Sequence, residues 1–471
     1  MHYPPFELLV DPALVRKYDL SGPRYTSYPT ADRFVEAFGA PELGQWLERR
    51  DIGGISLPLS VYVHLPFCDR ICYYCACTKV VTRDHGRSGK YIDYLAREIR
   101  HACEYLGAQA GQSRPARPIS QLHWGGGTPT FLAREEMAAL MAALDEHFAR
   151  GPATETSIEV DPRTAEPGRM AFLAELGFNR TSIGVQDFDP AVQAAVHRVQ
   201  SEAETRRVID EARAAGFRSV NLDLIYGLPR QTVRSFDATL EKVLAIAPER
   251  IALYSYAHLP ALFKPQRRIA QADLPSPDEK LSILMLAIER LTRAGYRYIG
   301  MDHFARPEDE LALAQEQGRL QRDFQGYSAR PAADLLGFGM SAIGRVGPTY
   351  YQNAKRVDEY YAALDAGRLP VCRGLELTAD DLARRAIIQS LACNFRVSME
   401  SIEIAHVMDF RRAFAAELAE LRRLQDDGLV ELEGDWIVVT PRGRLLVRAV
   451  CMVFDRYLRE KIVRASYSKV I

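Results

Sequence analysis

Three cysteines, Cys68, Cys72 and Cys75, are spaced Cys-x-x-x-Cys-x-x-Cys directly after the apolar, strand-like run Val61–Leu65. Three close thiolates can hold three corners of a four-iron, four-sulfur cube, whereas a cube held wholly by protein takes four. The remaining iron is then open to bind a ligand directly, and an electron carrier becomes a site for chemistry. Cys77 adds a fourth sulfur, but it lies only two residues from Cys75, so the two could not easily reach different corners. A structural zinc knot using all four thiols is the alternative. Zinc sites usually pair two Cys-x-x-Cys motifs across about a dozen or more residues. No second pair is present here, so the spacing favours the cluster.

The elements that position this loop alternate in type. Strands are expected at 61–65, 121–124, 157–160, 181–185, 220–226, 251–256 and 296–301, with helical stretches at 89–105, 134–148, 167–176, 202–215, 232–247 and 277–294. Such alternation favours an α/β fold with a parallel sheet under covering helices. Gly177, Gly216 and Gly295 each follow a helical stretch and precede an aromatic residue, where a left-handed cap is wanted. Six or so units are fewer than the eight of a closed barrel. The expectation is a partial, open TIM-like βα barrel, with a doubly wound sheet as the alternative. In both, ligands gather at the carboxyl ends of the strands. That is where the cysteine loop, Gly125-Gly126-Gly127-Thr128, Glu159 with Asp161, Gln186 with Asp187, Asp223 and Ala257-His258 fall.

The whole chain has 471 residues, 47% hydrophobic and 26% charged, which suits one large domain with an appendage. It contains no apolar run long enough for a membrane span and no secretory leader pattern at Met1–Glu7. A cytoplasmic location is expected. The net charge of −1 gives no global pull toward nucleic acid. Cys103, Cys372, Cys393 and Cys451 are scattered among apolar residues and read as packed thiols. Residues 1–50 read as an N-terminal arm, extended over Ser21–Thr30. Residues 51–370 carry the barrel, and 371–471 a small, mainly α domain of winged-helix shape, ending in a helix from 441 to about 463.

Glycines between strand and helix let a ligand approach the backbone without a side-chain clash. The triple glycine has neither the dinucleotide fingerprint nor a phosphate-loop Lys; by itself it is equally a tight turn. Glu159 and Asp223, on strands, could accept ribose hydroxyls or an ammonium, or else form structural ion pairs. Arg198 lies near the same mouth and alone reads more simply as a solvated arginine. His64, His123, His258 and His303 follow or end strands without zinc spacing, and a lone histidine is more often packed than a ligand.

His64-Leu65-Pro66-Phe67-Cys68 through Cys75-Ala76-Cys77 resembles the cluster loop of radical S-adenosylmethionine enzymes. The likeness sharpens with Trp124–Thr130, Glu159–Arg163, Gly184–Phe188, Asp223–Pro229, Tyr256–Pro260, Gly300–Ala305, the arm at Ser21–Thr30 and Asn394-Phe395-Arg396. Together they resemble the oxygen-independent coproporphyrinogen III oxidases over nearly the whole chain. The resemblance implies one [4Fe-4S] cluster on Cys68, Cys72 and Cys75, and two S-adenosylmethionine sites. Tyr62, Tyr74, Gly126, Glu159 and Ile343 would line the molecule at the iron. Gly127, Thr128, Gln186, Arg198, Asp223 and Ala257 would line the second. It also implies that a 5′-deoxyadenosyl radical takes a hydrogen from a propionate, which leaves as carbon dioxide and yields a vinyl group.

The same resemblance marks Cys77, His64, Phe324 and Gln325 as catalytic candidates; Cys77 matches a cysteine needed for activity but not for holding iron. Tyr74 stands where relatives often have Phe, and Ala76 where they often have Gly. The substrate would be coproporphyrinogen III, with Arg24 and Arg268 as candidates for its propionates. A flavodoxin or ferredoxin would supply low-potential electrons, and no nucleic acid, membrane or second copy is expected. A related haem-trafficking family shares the radical core, but resembles this chain less. It has Phe at the position of Cys77, a His-Asn-x-x-Tyr-Trp motif where this chain has Tyr351-Gln352-Asn353, and no long arm. Some winged helices bind DNA, but the acidic Asp426, Asp427, Glu431, Glu433 and Asp435 of the C-terminal unit would repel phosphates and argue for a lid over the substrate instead.

Overall fold

A computed structural model describes residues 8–50, 59–106, 116–330, 334–460, 467 and 469. The expected start of the barrel at 51 and the end of the expected last helix at 461–463 lie outside them. Six strands follow one another in both sequence and space: β1 (Leu59–Leu65), β4 (Arg117–Gly126), β6 (Glu155–Val160), β7 (Arg180–Gln186), β8 (Ser219–Tyr226) and β9 (Arg250–Ser255). All five pairings between them are parallel. Two-residue strands β2 (Phe67–Cys68), β3 (Val80–Val81) and β5 (Phe148–Ala149) lie between them in the chain.

Three of the returning helices end as the glycines predict. Gly177, Gly216 and Gly295 have φ between 85° and 92°. At the first, the Phe178 N–H donates to the Leu173 carbonyl at 3.0 Å and the Gly177 N–H to Ala174 at 2.9 Å. These are the two bonds of a Schellman cap, repeated by Phe217 with Ala212 and Tyr296 with Leu291. The aromatic after each glycine is buried and anchors the next strand.

Side chains of the parallel strands alternate between two faces. Val61, Val63, Leu122, Trp124, Ile158, Ile183, Leu222 and Leu224 are buried under the helices. The opposite, concave face carries Tyr62, His123, Ser157, Glu159, Ser182, Asn221 and Asp223, so the carboxylates stand among polar neighbours rather than apolar ones. At the amino ends of the strands, Arg180 pairs with Glu155 at 3.2 Å and Glu310 at 2.6 Å, and Arg250 with Asp309 at 2.9 Å.

The sheet stays open, as expected of a partial barrel, but continues differently at its two edges. The strand expected at 296–301 is β10 (Arg297–Gly300), and it does not join β9. It folds back as a hairpin on β11 (His303–Ala305), which runs antiparallel to β9. After a small hairpin of β12 (Gln321–Asp323) and β13 (Gly326–Ser328), the chain crosses to the far edge. There β14 (Asp334–Phe338) pairs parallel to β1, and β15 (Ile343–Val346), β16 (Thr349–Asn353) and β17 (Val371–Glu376) continue antiparallel. Buried Glu98, from the helix Gly86–Tyr105, ties down this extension. It accepts from Gly339 N–H at 2.8 Å, and from Asn353 and Tyr360 at 2.6 Å each.

The expected boundary at 371 falls at the first residue of β17, and the helices of the C-terminal unit follow Glu376. This unit packs the helices Ala379–Asn394, Met399–His406 and Ala415–Asp426 with a sheet of β18 (Arg396–Ser398), β19 (Val430–Glu433) and β20 (Trp436–Val439). The single last helix expected from 441 is instead broken into Arg444–Leu446, Val447–Val453 and Arg456–Arg459; Asp455 caps the final piece through its side chain. The arm is pinned to this end of the chain. Tyr25 donates to Asp455 at 3.0 Å, and Arg448 donates to the carbonyls of Gly22 and Pro23.

Trp124 is fully buried and meets Phe178 edge-to-face, ring centroids 5.0 Å apart. Trp124→Ala empties the space between β4 and the cap of the helix before β7. It should lower unfolding stability by about 3–5 kcal/mol, read from denaturant midpoints.

Candidate functional site

The cysteine loop is fastened before it is shaped. Its two ends pair as β2 and β3, with Val80 N–H donating to Pro66 at 2.7 Å and Thr82 N–H to Cys68 at 3.0 Å. The stretch between is held from outside. Tyr73 N–H donates to Val196, Gln266 donates to the Tyr74 carbonyl, and His197 Nδ1 lies 2.8 Å from the Ile71 carbonyl. The glycine shelf at the end of β4 binds the same loop: Gly127 N–H donates to Leu65 and Thr128 N–H to Phe67, both at 2.8 Å. No side chain fits there. A Cβ on Gly126, where φ is 113°, would lie 2.5 Å from the His64 ring, and one on Gly127 would lie 2.6 Å from the Pro66 backbone.

Cys68, Cys72, Cys75 and Cys77 all line one cavity of about 740 Å³, and none is in a disulfide. Donors surround the sulfurs. Thr128 Oγ1 is 3.4 Å from Cys68 Sγ, while Arg163 and Arg198 reach Cys72 Sγ at 3.6 and 3.7 Å. Lys79 donates to the Cys75 and Cys77 carbonyls at 3.2 Å. Three thiols on one loop, facing an open cavity under cationic donors, fit an iron–sulfur cluster. Among the described residues, no group of three or more cysteine, histidine and carboxylate side chains is arranged to hold a single metal ion.

Tyr74, Gly126, Gly127, Thr128, Glu159, Gln186, Arg198 and Asp223 line the same cavity. Glu159 accepts from Gly126 N–H at 3.0 Å and stands 3.6 Å from His123 Nε2. Burial alone would raise its carboxyl; His123 and that N–H hold it below the ordinary value. Asp223 accepts from Ser182 and Asn221 at 2.9 and 2.8 Å, and burial, helped by the charge of Glu159 and only partly offset by these bonds and by Arg198, pushes it up to about 7. Arg198 is buried, not solvated. It pairs with Asp161 at 2.9 Å and donates to Gly184 at 2.7 Å, while its Nε is buried without a partner.

Other expected residues lie elsewhere. Tyr62 and His64 stand behind the shelf: the Tyr62 hydroxyl is 3.0 Å from His64 Nδ1, and His64 Nε2 is 3.0 Å from the Thr78 carbonyl. The carbonyl needs a donor, so Nε2 carries the proton and Nδ1 accepts from Tyr62. Burial lowers His64 to about 4, so it braces the loop as a neutral ring. Ile343 packs against the cluster of Phe34, Tyr350 and Leu377 and, like Ala257 after β9, is not among the residues that line this cavity. Gln325 opens into a polar chamber inside the barrel that also reaches Glu159 and Asp223. Arg24 is already paired with Asp302 at 2.6 Å, and Arg268 stacks on Tyr73. Residue-by-residue reading missed Arg163, Ser182 and Tyr254. The Asp161-x-Arg163 pair at a strand's carboxyl end was the available signal for the first.

Residues 62–243 match the radical SAM superfamily, and residues 377–446 match the HemN C-terminal domain. Oxygen-independent coproporphyrinogen III oxidases from Pseudomonas aeruginosa and Escherichia coli are 50% and 48% identical over 463 and 461 residues, 98% of both chains in each case. A solved structure of coproporphyrinogen III oxidase (HemN) from Escherichia coli, described as a radical SAM enzyme, superposes with a TM-score of 0.89. It is 46% identical and covers 96% of this chain and 100% of that one.

Asp161 joins Arg163 (2.6 Å) and Arg198 (2.9 Å). Burial opposes its charge, but the two guanidinium groups hold it at about 2 against the ordinary 3.8. Its ionised form therefore favours the folded state above about pH 4, and that contribution fades as pH falls toward 2. Asp161→Asn should destabilise the protein by about 2 kcal/mol at pH 7. The gap to the parent should close between about pH 4 and pH 2 in urea titrations run as a pH series.

Proposed function

We infer how this site works from one premise: the chain belongs to the oxygen-independent coproporphyrinogen III oxidases, radical SAM enzymes. Its reaction is the anaerobic oxidative decarboxylation of two propionate side chains of coproporphyrinogen III to vinyl groups, giving protoporphyrinogen IX. Each propionate gives up a hydrogen atom, carbon dioxide and one electron. A four-iron, four-sulfur cluster and S-adenosylmethionine, when bound, supply the radical chemistry that removes the hydrogen.

The observation that carries the reading is that three thiols of one loop face a cavity floored by polar strand ends. Cys68, Cys72 and Cys75 hold the cluster, and the Arg163, Arg198 and Thr128 donors steady the sulfur charge. Glu159, kept ionised by His123 and Gly126, offers oxygens to an ammonium group or a ribose at the shelf. Tyr74 provides a ring for stacking. Tyr62 acts behind that first site through His64, and Ile343 contributes from β15. Gly127, Thr128, Gln186, Arg198, Asp223 and Ala257 make up a second S-adenosylmethionine site deeper in the barrel. There the unspent Arg198 Nε suits a carboxylate and Asp223 suits hydroxyls. Cys77 presents an exposed thiol to the substrate, and Phe324 and Gln325 act from the turn that walls the barrel interior.

The working unit is a cytoplasmic monomer fed by a flavodoxin or ferredoxin, with neither nucleic acid nor membrane as partner. No helix among the described residues is long and apolar enough to cross a membrane. The C-terminal unit serves as a lid.

Anaerobically reconstituted protein given reductant, S-adenosylmethionine and coproporphyrinogen III should release carbon dioxide and form vinyl products. Absence of both would defeat the reading. Cys72→Ala should lose the iron together with turnover. Asp223→Ala should keep its iron and raise the KM for S-adenosylmethionine by about tenfold or more, the loss of roughly one charge-assisted hydrogen bond.

A further inference from the structure

The turn between β12 and β13 divides two chambers. On one side, Asp323 and Gln325 line the polar interior of the barrel, about 140 Å³, together with Glu159, Asp223 and Tyr254. On the other side, Asp323 and Phe324 line a pocket of about 20 Å³ closed by Tyr25–Tyr28 of the arm and by the helix Ala379–Asn394.

Arg322, Arg345 and Arg385 all line this smaller pocket, and Asp323 is the one carboxylate among its lining residues. Asp323 accepts from Gln325 N–H at 2.8 Å. Arg322 is 7% exposed, and its Nη1 is buried with no hydrogen-bond partner. Arg385 Nη1 is buried and unpartnered in the same way. Neither arginine makes an ion pair among the described residues. A buried donor without an acceptor is unfavourable. Both arginines belong to the lining of a space that admits a small charged head group but not a ring.

We propose that this pocket binds the carboxylate of a substrate propionate that is not reacting, and so fixes the orientation of the macrocycle. The proposal rests on coproporphyrinogen III being the substrate. The planar forks of Arg322 and Arg385 match a carboxylate by paired N–H donors. Asp323 lines both spaces, so the pocket adjoins the barrel interior. The pocket's place against the arm also explains why three separate segments meet here. The carboxylate completes a cage that no one of them could close.

The test compares wild-type, Arg385→Gln, Arg385→Lys and Arg322→Gln enzymes after anaerobic reconstitution. Coproporphyrinogen III binding is measured without reductant by ultrafiltration, and the KM for each substrate is measured with reductant. Both glutamine variants should weaken coproporphyrinogen binding by about tenfold or more, the usual scale for a lost buried charge partner. Iron content and the KM for S-adenosylmethionine should stay at the wild-type value, and Arg385→Lys should recover part of the loss. If Arg322→Gln fails to fold, the half-buried Arg385 decides. Unchanged coproporphyrinogen binding in folded Arg385→Gln would overturn the proposal, as would failure of the wild type to bind it. Tight binding without vinyl product would instead sink the assigned reaction and leave the pocket standing.

Discussion

The rest of the site depends on the backbone lock between the cysteine loop and the glycine shelf. A loop bearing three thiols has no periodic structure of its own, so its separations must be imposed by neighbours. Here two hydrogen bonds donated by the Gly127 and Thr128 N–H groups and the short ladder of β2 with β3 fix its ends. Parallel pairing of β1 with β4 sets the two segments side by side, His64 opposite Gly125 and Leu65 opposite Gly126. Glycine is required because His64 and the Pro66 backbone occupy the space a side chain would take. The neutral His64 ring, held between Tyr62 and Thr78, supports the returning end of the loop. Position, rather than reactivity, is what these neighbours contribute.

The second organising feature is the polarity of the concave face. Strands buried on both faces usually read as continuous apolar runs. These strands alternate, because one face packs under helices while the other lines a wet interior. Each polar side chain finds a partner one strand away: His123 with Ser157, Asn221 with Ser182, Ser182 with Asp223. The ladder fixes rotamers before any ligand arrives, and preorganised polar groups of this kind need little rearrangement on binding. Asp223 sits at its end with hydroxyl and amide donors but no ion pair among the described residues, and burial dominates its ionisation.

Much of this was legible in the sequence, for local reasons. The cysteine spacing, the triple glycine and the three Gly-aromatic caps each depend on residues within a few positions of one another. What escaped depends on distant partners. Arg198 looked solvated because Asp161, which draws it inward, is 37 residues away. The edge formed by β14 to β17 was missed because its signal is a register beside β1, over 270 residues earlier in the chain. The strand at 297–300 was correctly placed in sequence but not in space, since the tight return through Met301 and Asp302 inserts β11 between it and β9. The last helix looked continuous by composition, yet Asp455 interrupts it by capping the next turn.

The two ends of the polypeptide are each other's support. Tyr25 reaches Asp455 across 430 positions, and Arg448 grips the carbonyls of Gly22 and Pro23. Closing so long a loop costs chain entropy, and the partners of the arm are synthesised well after the barrel strands. The barrel can assemble during synthesis. The arm cannot find its seat until the segment around Arg448 and Asp455 has been made and folded. A product truncated before Arg448 would therefore carry a complete thiol loop beside an unseated arm.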